Sequence, residues 1–290
     1  MDVSVILVSY NTKDMTRECL ESVYRFTKDI EFEVFVVDNN SKDGSAEMIE
    51  REFPQVRLIR NPDNKGFGAA NNIAIRKSSA KYIFCLNTDT LLLNNSIKEF
   101  FDFMEKSENE NVGACGCQLL DKDMKLQHSY GCLPRISRIV LTLFGVAQIF
   151  PKWYKKKYFH SPYENDTEPY EVEYVTGADL FMRKSVLDRV GIFDENFFMY
   201  FEESELQKRM HEIGYKSIML PKLNIVHYCG MPNENVPLAK VKIFRTSEFY
   251  YYEKCNGKIA RLFVKMLYLI RYLFCIKFDK SYFENILLYF

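Results

Sequence analysis

Between Val3 and Asp89, short apolar runs alternate with amphipathic segments, and most of the runs end on polar residues. Val3–Val8 and Phe32–Val37 read as strands buried on both faces, with Val56–Ile59 and Tyr82–Leu86 continuing the series. Helices are expected over Asp14–Phe26, Asp43–Phe53 and Gly68–Lys77, the second closed by Pro54. A β-α-β-α order of this kind predicts an α/β fold with a mostly parallel, Rossmann-like sheet and right-handed crossovers. Ligands of such sheets bind at the carboxyl ends of the strands. The polar clusters Ser9-Tyr10-Asn11, Asp38-Asn39-Asn40 and Asn87-Thr88-Asp89 fall there.

The remaining chain is less regular at first. Gln127–Glu173 reads as loops and an amphipathic insert over one edge of the site, and includes Trp153-Tyr154-Lys155-Lys156-Lys157. Structure resumes at Tyr174–Gly177, in a helix from Lys184, in a helix over Glu202–Ile213 and in strands at Lys216–Leu220 and Asn224–Val226. The last fifty residues read as helical. A domain over 1–235, divided near 120 into halves 1–120 and 121–235, followed by a helical appendage over 236–290, is the expected organisation.

Composition narrows the function classes. With 290 residues and 47% hydrophobic content, the chain can bury a large core. A net charge of zero gives the whole chain no nucleic-acid-like footprint. The eight cysteines show no zinc spacing and read as free thiols. The N-terminal segment reads as a core strand, and no apolar run reaches the ~20 residues of a spanning helix, so the chain is expected in the cytoplasm.

Several groups carry chemistry. Asp38, at a strand end, can accept from a base imide or a ribose hydroxyl, or equally serve as a turn or capping aspartate. Asn64-Lys65-Gly66-Phe67-Gly68 is a glycine-rich turn entering a helix, able to hold diphosphate on free N–H groups or to be a simple tight turn. It lacks the third glycine of a dinucleotide fingerprint, and the strand-end acid precedes it instead of following. Both points speak against a nicotinamide dehydrogenase. No basic triphosphate loop of a nucleotidyltransferase is evident. Asp89 can hold a hard divalent cation, or cap the helix near Ser96. His227 follows a strand and would suit Mn²⁺ as a second ligand, or stand as a structural histidine. In Phe197–Leu206, an aromatic run leads into Glu202, Glu203 and Glu205, which read as a helix-dipole charge cluster or as a pocket holding a general base.

In this order the segments resemble the family 2 glycosyltransferases, in particular the rhamnosyltransferase-like branch of O-antigen and capsule synthesis. The resemblance runs over about residues 3–230. It rests on Val8-Ser9-Tyr10-Asn11, Val37-Asp38-Asn39-Asn40-Ser41, Asp43-Gly44-Ser45, Asn64-Lys65-Gly66-Phe67 with Asn71-Asn72, and Leu86-Asn87-Thr88-Asp89. Thr176-Gly177-Ala178, Phe193-Asp194-Glu195, Phe198–Glu203, Gly214-Tyr215 and His227 complete it. It implies a GT-A fold with a nucleotide-binding sheet, an acceptor half and C-terminal helices. It further implies an inverting, metal-dependent transfer from a dTDP- or UDP-sugar, such as a rhamnose donor, to a glycan or lipid-linked glycan. The implied donor contacts are Ser9, Tyr10, Asn11, Asp38, Asn40, Asn64, Gly66, Phe67, Asn71, Asn87, Thr88 and Gly177. Mn²⁺ or Mg²⁺ would lie on Asp89 and His227, with Glu203 as base and Glu202 as its preceding acid. The chain departs from the family pattern at Asn87, where an acid is usual, at Glu203, where many relatives carry Asp, and at Ala74, where glycine is frequent. A non-catalytic nucleotide-sugar-binding partner subunit of the same fold is the alternative those departures leave open.

In the C-terminal helices, Lys258, Arg261, Lys265, Tyr268 and Tyr272 recur as a basic-aromatic stripe. Leu262, Phe263, Met266, Leu267, Ile270, Leu273 and Phe274 cover the rest. This pattern predicts either a helix lying at the inner membrane face or one packed on the catalytic domain or in a homodimer.

Overall fold

A computed structural model describes residues 1–158, 167–228 and 238–276. In chain order the elements are β1 (Val3–Ser9), α1 (Lys13–Phe26), β2 (Phe32–Asp38), α2 (Ser45–Glu52), β3 (Arg57–Arg60), α3 (Phe67–Ile75), β4 (Tyr82–Leu86), β5 (Thr90–Leu92) and α4 (Ser96–Glu105). Then come β6 (Val112–Leu120), β7 (Tyr130–Gly131), α5 (Ile136–Leu143), α6 (Val146–Ile149), α7 (Pro151–Tyr158), β8 (Tyr170–Val172), β9 (Tyr174–Val175) and β10 (Asp179–Arg183). The chain continues through α8 (Lys184–Val190), α9 (Glu202–Glu212), β11 (Lys216–His227), α10 (Leu238–Asn256) and α11 (Lys258–Ile276).

The chain forms two compact units. The first comprises Met1–Gly131, Pro162–Phe198 and Glu202–Pro232; the second comprises Cys132–Ser161, Met199–Phe201 and Asn233–Phe290. Of the Gln127–Glu173 segment expected as loops and an amphipathic insert, the Cys132–Ser161 part contains α5–α7 and groups with the C-terminal helices, while its two ends stay in the first unit.

In the first unit the main sheet runs β3-β2-β1-β4-β10-β6-β11-β5, with β8 pairing on β11. The β3-β2-β1-β4 half is wholly parallel. β10 enters antiparallel between β4 and β6, and β11 runs parallel to β6. Lys216–Leu220 and Asn224–Val226, expected as two strands, are one strand whose register against β6 shifts between Leu220 and Asn224. The interruption spans Pro221, which has no N–H to give to a ladder. The apolar alternation of β1, β2 and β4 divides into two cores. One face carries Val5, Leu7, Val36, Phe84 and Leu86 toward α1 and α4, with Phe100 and Phe181 stacked at 5.3 Å. The other carries Ile6, Phe35, Val37, Ile83 and Cys85 toward α3, α8 and α9. Burying each such side chain contributes roughly 1.5–3 kcal/mol, which fixes the strand register and with it the strand ends.

In the second unit, α10 and α11 pack together and α5 lies on α11. The Ser247 hydroxyl donates to the Met199 carbonyl at 2.7 Å, and the Phe201 ring lies 5.0 Å from Phe244 and 5.7 Å from Tyr251. Tyr200 and Phe201 both take left-handed backbone (φ 73° and 72°). Tyr268 does not belong to an outward stripe. It is buried, its hydroxyl donates to Glu248 at 2.9 Å and accepts from Arg245 at 2.8 Å, and the Arg245 guanidinium covers its ring. The side chains of Tyr272, Leu273 and Phe274, with those of Lys155, Lys156 and Lys157, lie outside the described residues.

Candidate active site

The parallel half of the sheet sets three strand ends side by side. Ser9 closes β1 opposite Asp38 at the end of β2, and Asn87 follows β4. Beyond β2, the Asn39 N–H donates to the Ser9 carbonyl at 2.8 Å, folding the next turn over β1. Ser9 is fully buried, and its hydroxyl sits within hydrogen-bonding distance of Thr12 and Thr16. Tyr10 is half-exposed. Asn11 and Asn40 take left-handed backbone (φ 55° and 67°), a conformation asparagine tolerates. The Asn11 Oδ1 accepts from the Lys42 N–H at 2.7 Å, and the Asn40 Oδ1 accepts from the Lys42 ammonium at 2.6 Å.

Asp38 is buried. Its Oδ2 accepts the Ser41 N–H at 3.0 Å, while its Oδ1 has no hydrogen-bond partner. A buried acceptor left unmet costs about 1–3 kcal/mol, so a donor N–H or O–H brought by a ligand recovers that cost.

Asn39, buried and next to the expected Asn40, ties this strand end to the glycine turn. Its Nδ2 donates to Asn64 Oδ1 (3.2 Å) and to the Gly66 carbonyl (3.1 Å), and its Oδ1 accepts from Asn61 (2.7 Å). Asn64 Oδ1 also takes the Gly66 N–H at 2.9 Å. Gly66 has φ +82°, and a Cβ there would lie 2.0 Å from the Phe198 carbonyl oxygen. That oxygen accepts the Phe67 N–H at 2.9 Å, so the start of α3 is clamped to the segment preceding α9. Asn71 donates to the Phe67 carbonyl at 3.0 Å and keeps a buried Oδ1 without a partner. Its neighbour Asn72 grips Phe193 from both sides, donating to its carbonyl (2.8 Å) and accepting its N–H (3.1 Å).

After β4 the backbone turns into β5, and the Asn87 carbonyl accepts the Thr90 hydroxyl at 2.7 Å. The Thr88 and Thr12 hydroxyls meet at 3.1 Å. Asp89 does not cap α4, whose N-cap is Asn95. β11 pairs antiparallel with β5, which brings His227 opposite Thr90. The His227 Nε2 lies 3.3 Å from Asp89 Oδ1 and 3.5 Å from the Asn87 amide nitrogen, and the Asp89 and His227 side chains are only 16% and 15% exposed. Gln127, from the region expected to be irregular, fixes the far side by donating to the His227 carbonyl at 2.8 Å.

Thr176-Gly177-Ala178 links this cluster to the acids of α9. The Ala178 carbonyl accepts the Asn87 N–H at 3.0 Å. A Cβ on Gly177 would meet the Phe67 ring at 3.2 Å and the Glu203 Cβ at 4.0 Å. The three acids have different surroundings. Glu205 is buried and ion-paired to Arg209, whose guanidinium also donates to the Val190 and Ile192 carbonyls. Glu202 is buried under Gly68, where a Cβ would stand 3.6 Å from its own. Glu203 is part-exposed. Desolvation pushes its carboxyl up to about 7, against the pull of the Glu203 and Ser204 N–H groups at the helix start.

Asp179, which carries no signal of its own in the sequence, is fully buried on β10. Its Oδ2 accepts the Cys117 N–H at 2.6 Å, and burial raises its carboxyl to about 7, with nearby His227 acting in the opposite direction.

A parallel half-sheet ending on an acid, a second acid with a histidine across β5 and β11, and a carboxylate at a helix start are the arrangement of a GT-A fold. Accordingly, the chain belongs to glycosyl transferase family 2, whose pattern matches residues 4–191. It is 26% identical over 231 residues to an N-acetylglucosaminyl-diphospho-decaprenol L-rhamnosyltransferase of Mycobacterium tuberculosis, covering 75% of this chain and 73% of that one. It is 24% identical over 243 residues to the rhamnosyltransferase WbbL of Escherichia coli, covering 80% and 86%. Among solved structures, the fold is similar to the mannosyltransferase PcManGT of Pyrobaculum calidifontis in complex with GDP-Man and Mn²⁺. The TM-score there is 0.59 at 19% identity, over 93% of this chain and 69% of that one. S. aureus TarS 1–349 with UDP gives 0.56 at 14% identity, over 97% and 73%.

Proposed function

We propose that this chain is an inverting, metal-dependent glycosyltransferase moving a sugar, rhamnose in the first instance, from a nucleoside-diphosphate donor to a hydroxyl of a glycan or lipid-linked glycan. The observation that carries the reading is the approach of Asp89, His227 and Asn87, with Gly177 and Glu203 joined to them through the Ala178–Asn87 hydrogen bond. The rhamnosyltransferase names of the relatives favour a rhamnose donor, and the lipid-diphosphate acceptor in one of those names favours a lipid-linked acceptor here.

In this reading Asp38 Oδ1 accepts an imide or ribose hydrogen, and Tyr10, half-exposed beside it, covers the base. Gly66 gives the backbone clearance for the start of α3 to meet the diphosphate. One carboxylate oxygen and one imidazole nitrogen facing each other suit Mn²⁺ or Mg²⁺, and Asn87 adds an amide that can present its oxygen in place of its nitrogen. When bound, the ion supplies Lewis-acid neutralisation of charge on the leaving diphosphate. Glu203 holds the acceptor hydroxyl and takes its proton as the new bond forms on the face opposite the leaving group. Its high carboxyl pKa makes it a competent base at neutral pH, and Glu202 supports it from the buried side. The six cysteines described as free thiols suit a reducing cytoplasm.

Glu203→Gln tests the assignment. Transfer falls by about 10²–10⁴-fold while Mn²⁺-dependent donor binding persists. Unchanged transfer would remove Glu203 as the base, loss of donor binding as well would make Glu203 structural, and absence of transfer by the wild-type chain would favour the partner-subunit alternative.

A further inference from the structure

The zero net charge of the chain is a cancellation. The second unit carries 16 Lys and Arg against 5 Asp and Glu, a net +11, while the first carries 23 against 34, a net −11. Two stretches of the second unit hold no acid at all: Cys132–Ser161, with six basic residues, and α11, with Lys258, Arg261, Lys265 and Arg271.

The basic helix also has an uncovered apolar face. Val264, Leu267 and Tyr268 are buried. Ile259, Leu262, Phe263, Met266 and Ile270 are exposed, Ile259 and Leu262 at 83% and 66%. Their spacing of 3, 4, 7 and 11 residues from Ile259 puts all five along one side of the helix. Lys258 and Lys265 fall along one edge of that side. The α5–α7 segment of the same unit exposes Phe144, Ile149, Phe150 and Trp153. Among the described residues no helix is long and apolar enough to cross a membrane.

We infer that this unit is a docking surface for an anionic bilayer, with the Ile259–Ile270 stripe entering the acyl boundary and the flanking cations meeting lipid phosphates. This face combines an apolar stripe with cations at its edge, the layering an anionic membrane complements. A second copy fits less well. Pairing the stripe with itself would set Lys258, Lys265 and Arg271 against their like charges, and among the described helices of the acidic first unit only Met15 is an exposed large apolar residue, so that unit offers no matching row. The inference deepens the transferase reading, since a lipid-linked acceptor is met at such a surface. The docking itself stands on charge and exposure alone.

Flotation of the full chain tests it, with vesicles of phosphatidylcholine alone or mixed with phosphatidylglycerol, at low and high salt. The chain floats with the anionic vesicles, less so at high salt, and stays with the soluble fraction when the lipid is zwitterionic. Phe263→Asp with Met266→Asp, and separately Lys258→Glu with Arg271→Glu, each lower the bound fraction at least about tenfold. Both pairs lie at exposed positions and leave the melting temperature and donor hydrolysis unchanged, so loss of docking is read separately from loss of transfer. No flotation with anionic vesicles, or flotation untouched by both double variants, overturns the inference. So does a dimer in solution that Phe263→Asp with Met266→Asp dissolves, which would make a second copy the occupant.

Discussion

The two units solve different problems with opposite chemistry. The first, net −11, buries its apolar residues in two cores on either face of a sheet and brings the candidate site's polar groups together at the strand ends. The second, net +11, leaves a row of large apolar side chains exposed and distributes its character over many cations. In the proposed reading an acidic site unit holds an anionic donor through backbone N–H groups and a metal ion at the diphosphate, the ion resting on Asp89 and His227. The contrast predicts that single substitutions are decisive in the first unit and graded in the second.

The largest effect is expected at Asp89. Asp89→Ala, or EDTA treatment of the unmodified chain, lowers transfer by more than about 10²-fold, and added Mn²⁺ rescues only the treated wild type. Full activity in EDTA would remove the ion from the account and weaken the contrast. Next comes Gly66→Ala, which needs left-handed backbone and a Cβ 2.0 Å from a carbonyl oxygen. It destabilises by several kcal/mol, on the order of the largest single-residue effects, read as a lowered urea midpoint. A neutral outcome would mean that the Phe198 segment is free to move away.

Asp179 gives a smaller, pH-dependent effect. Its carboxyl keeps a proton up to about 7 when folded, whereas an unfolded aspartate releases it near ~3.9. Between these values the folded state binds the extra proton, so stability falls as pH rises and the loss is complete above 7. Asp179→Asn keeps an acceptor for the Cys117 N–H and removes the charge. It raises the melting temperature at pH 8 by about 2–4 °C for each kcal/mol recovered, and changes it little at pH 4. A gain of equal size at both values would show that the carboxyl is ionised throughout. The smallest effect is expected from Gln127→Ala, which frees the His227 carbonyl and raises the Mn²⁺ concentration needed for half activity several-fold, with kcat largely kept.

The same contrast explains what the sequence revealed. β1, β2 and β4 were legible because long apolar runs meet polar clusters at their ends. β6 and β10 were not: Val112–Leu120 is broken by Gly113 and Gly116, and Asp179–Arg183 runs straight into α8 without a turn residue. Asp89 and His227 were legible through the ordered set of motifs, yet their partnership depends on β5, a three-residue strand too short to leave a periodic signal. Asn39 and Asn72 were overshadowed by Asn40 and Asn71, because which member of an Asn pair turns inward is decided by tertiary packing. Asp179 lies between the motif Thr176-Gly177-Ala178 and the helix from Lys184 with no signal of its own, and only the sheet around it shows its burial. The charge division was hidden by folding order, since the basic unit is assembled from separate segments of the chain. In α11 the basic-aromatic stripe failed at Tyr268, where Arg245 and Glu248 supply partners that helical spacing cannot show.

The central claim is that the carboxylate of Glu203 receives the acceptor proton, and the pH dependence of kcat/KM tests it most directly. With Glu203 protonated below about 7, the wild-type rate rises with pH and levels off above that value. The residual rate of Glu203→Gln is flat across the same range. A wild-type profile without that rise, or a rise that survives intact in Glu203→Gln, would contradict the account.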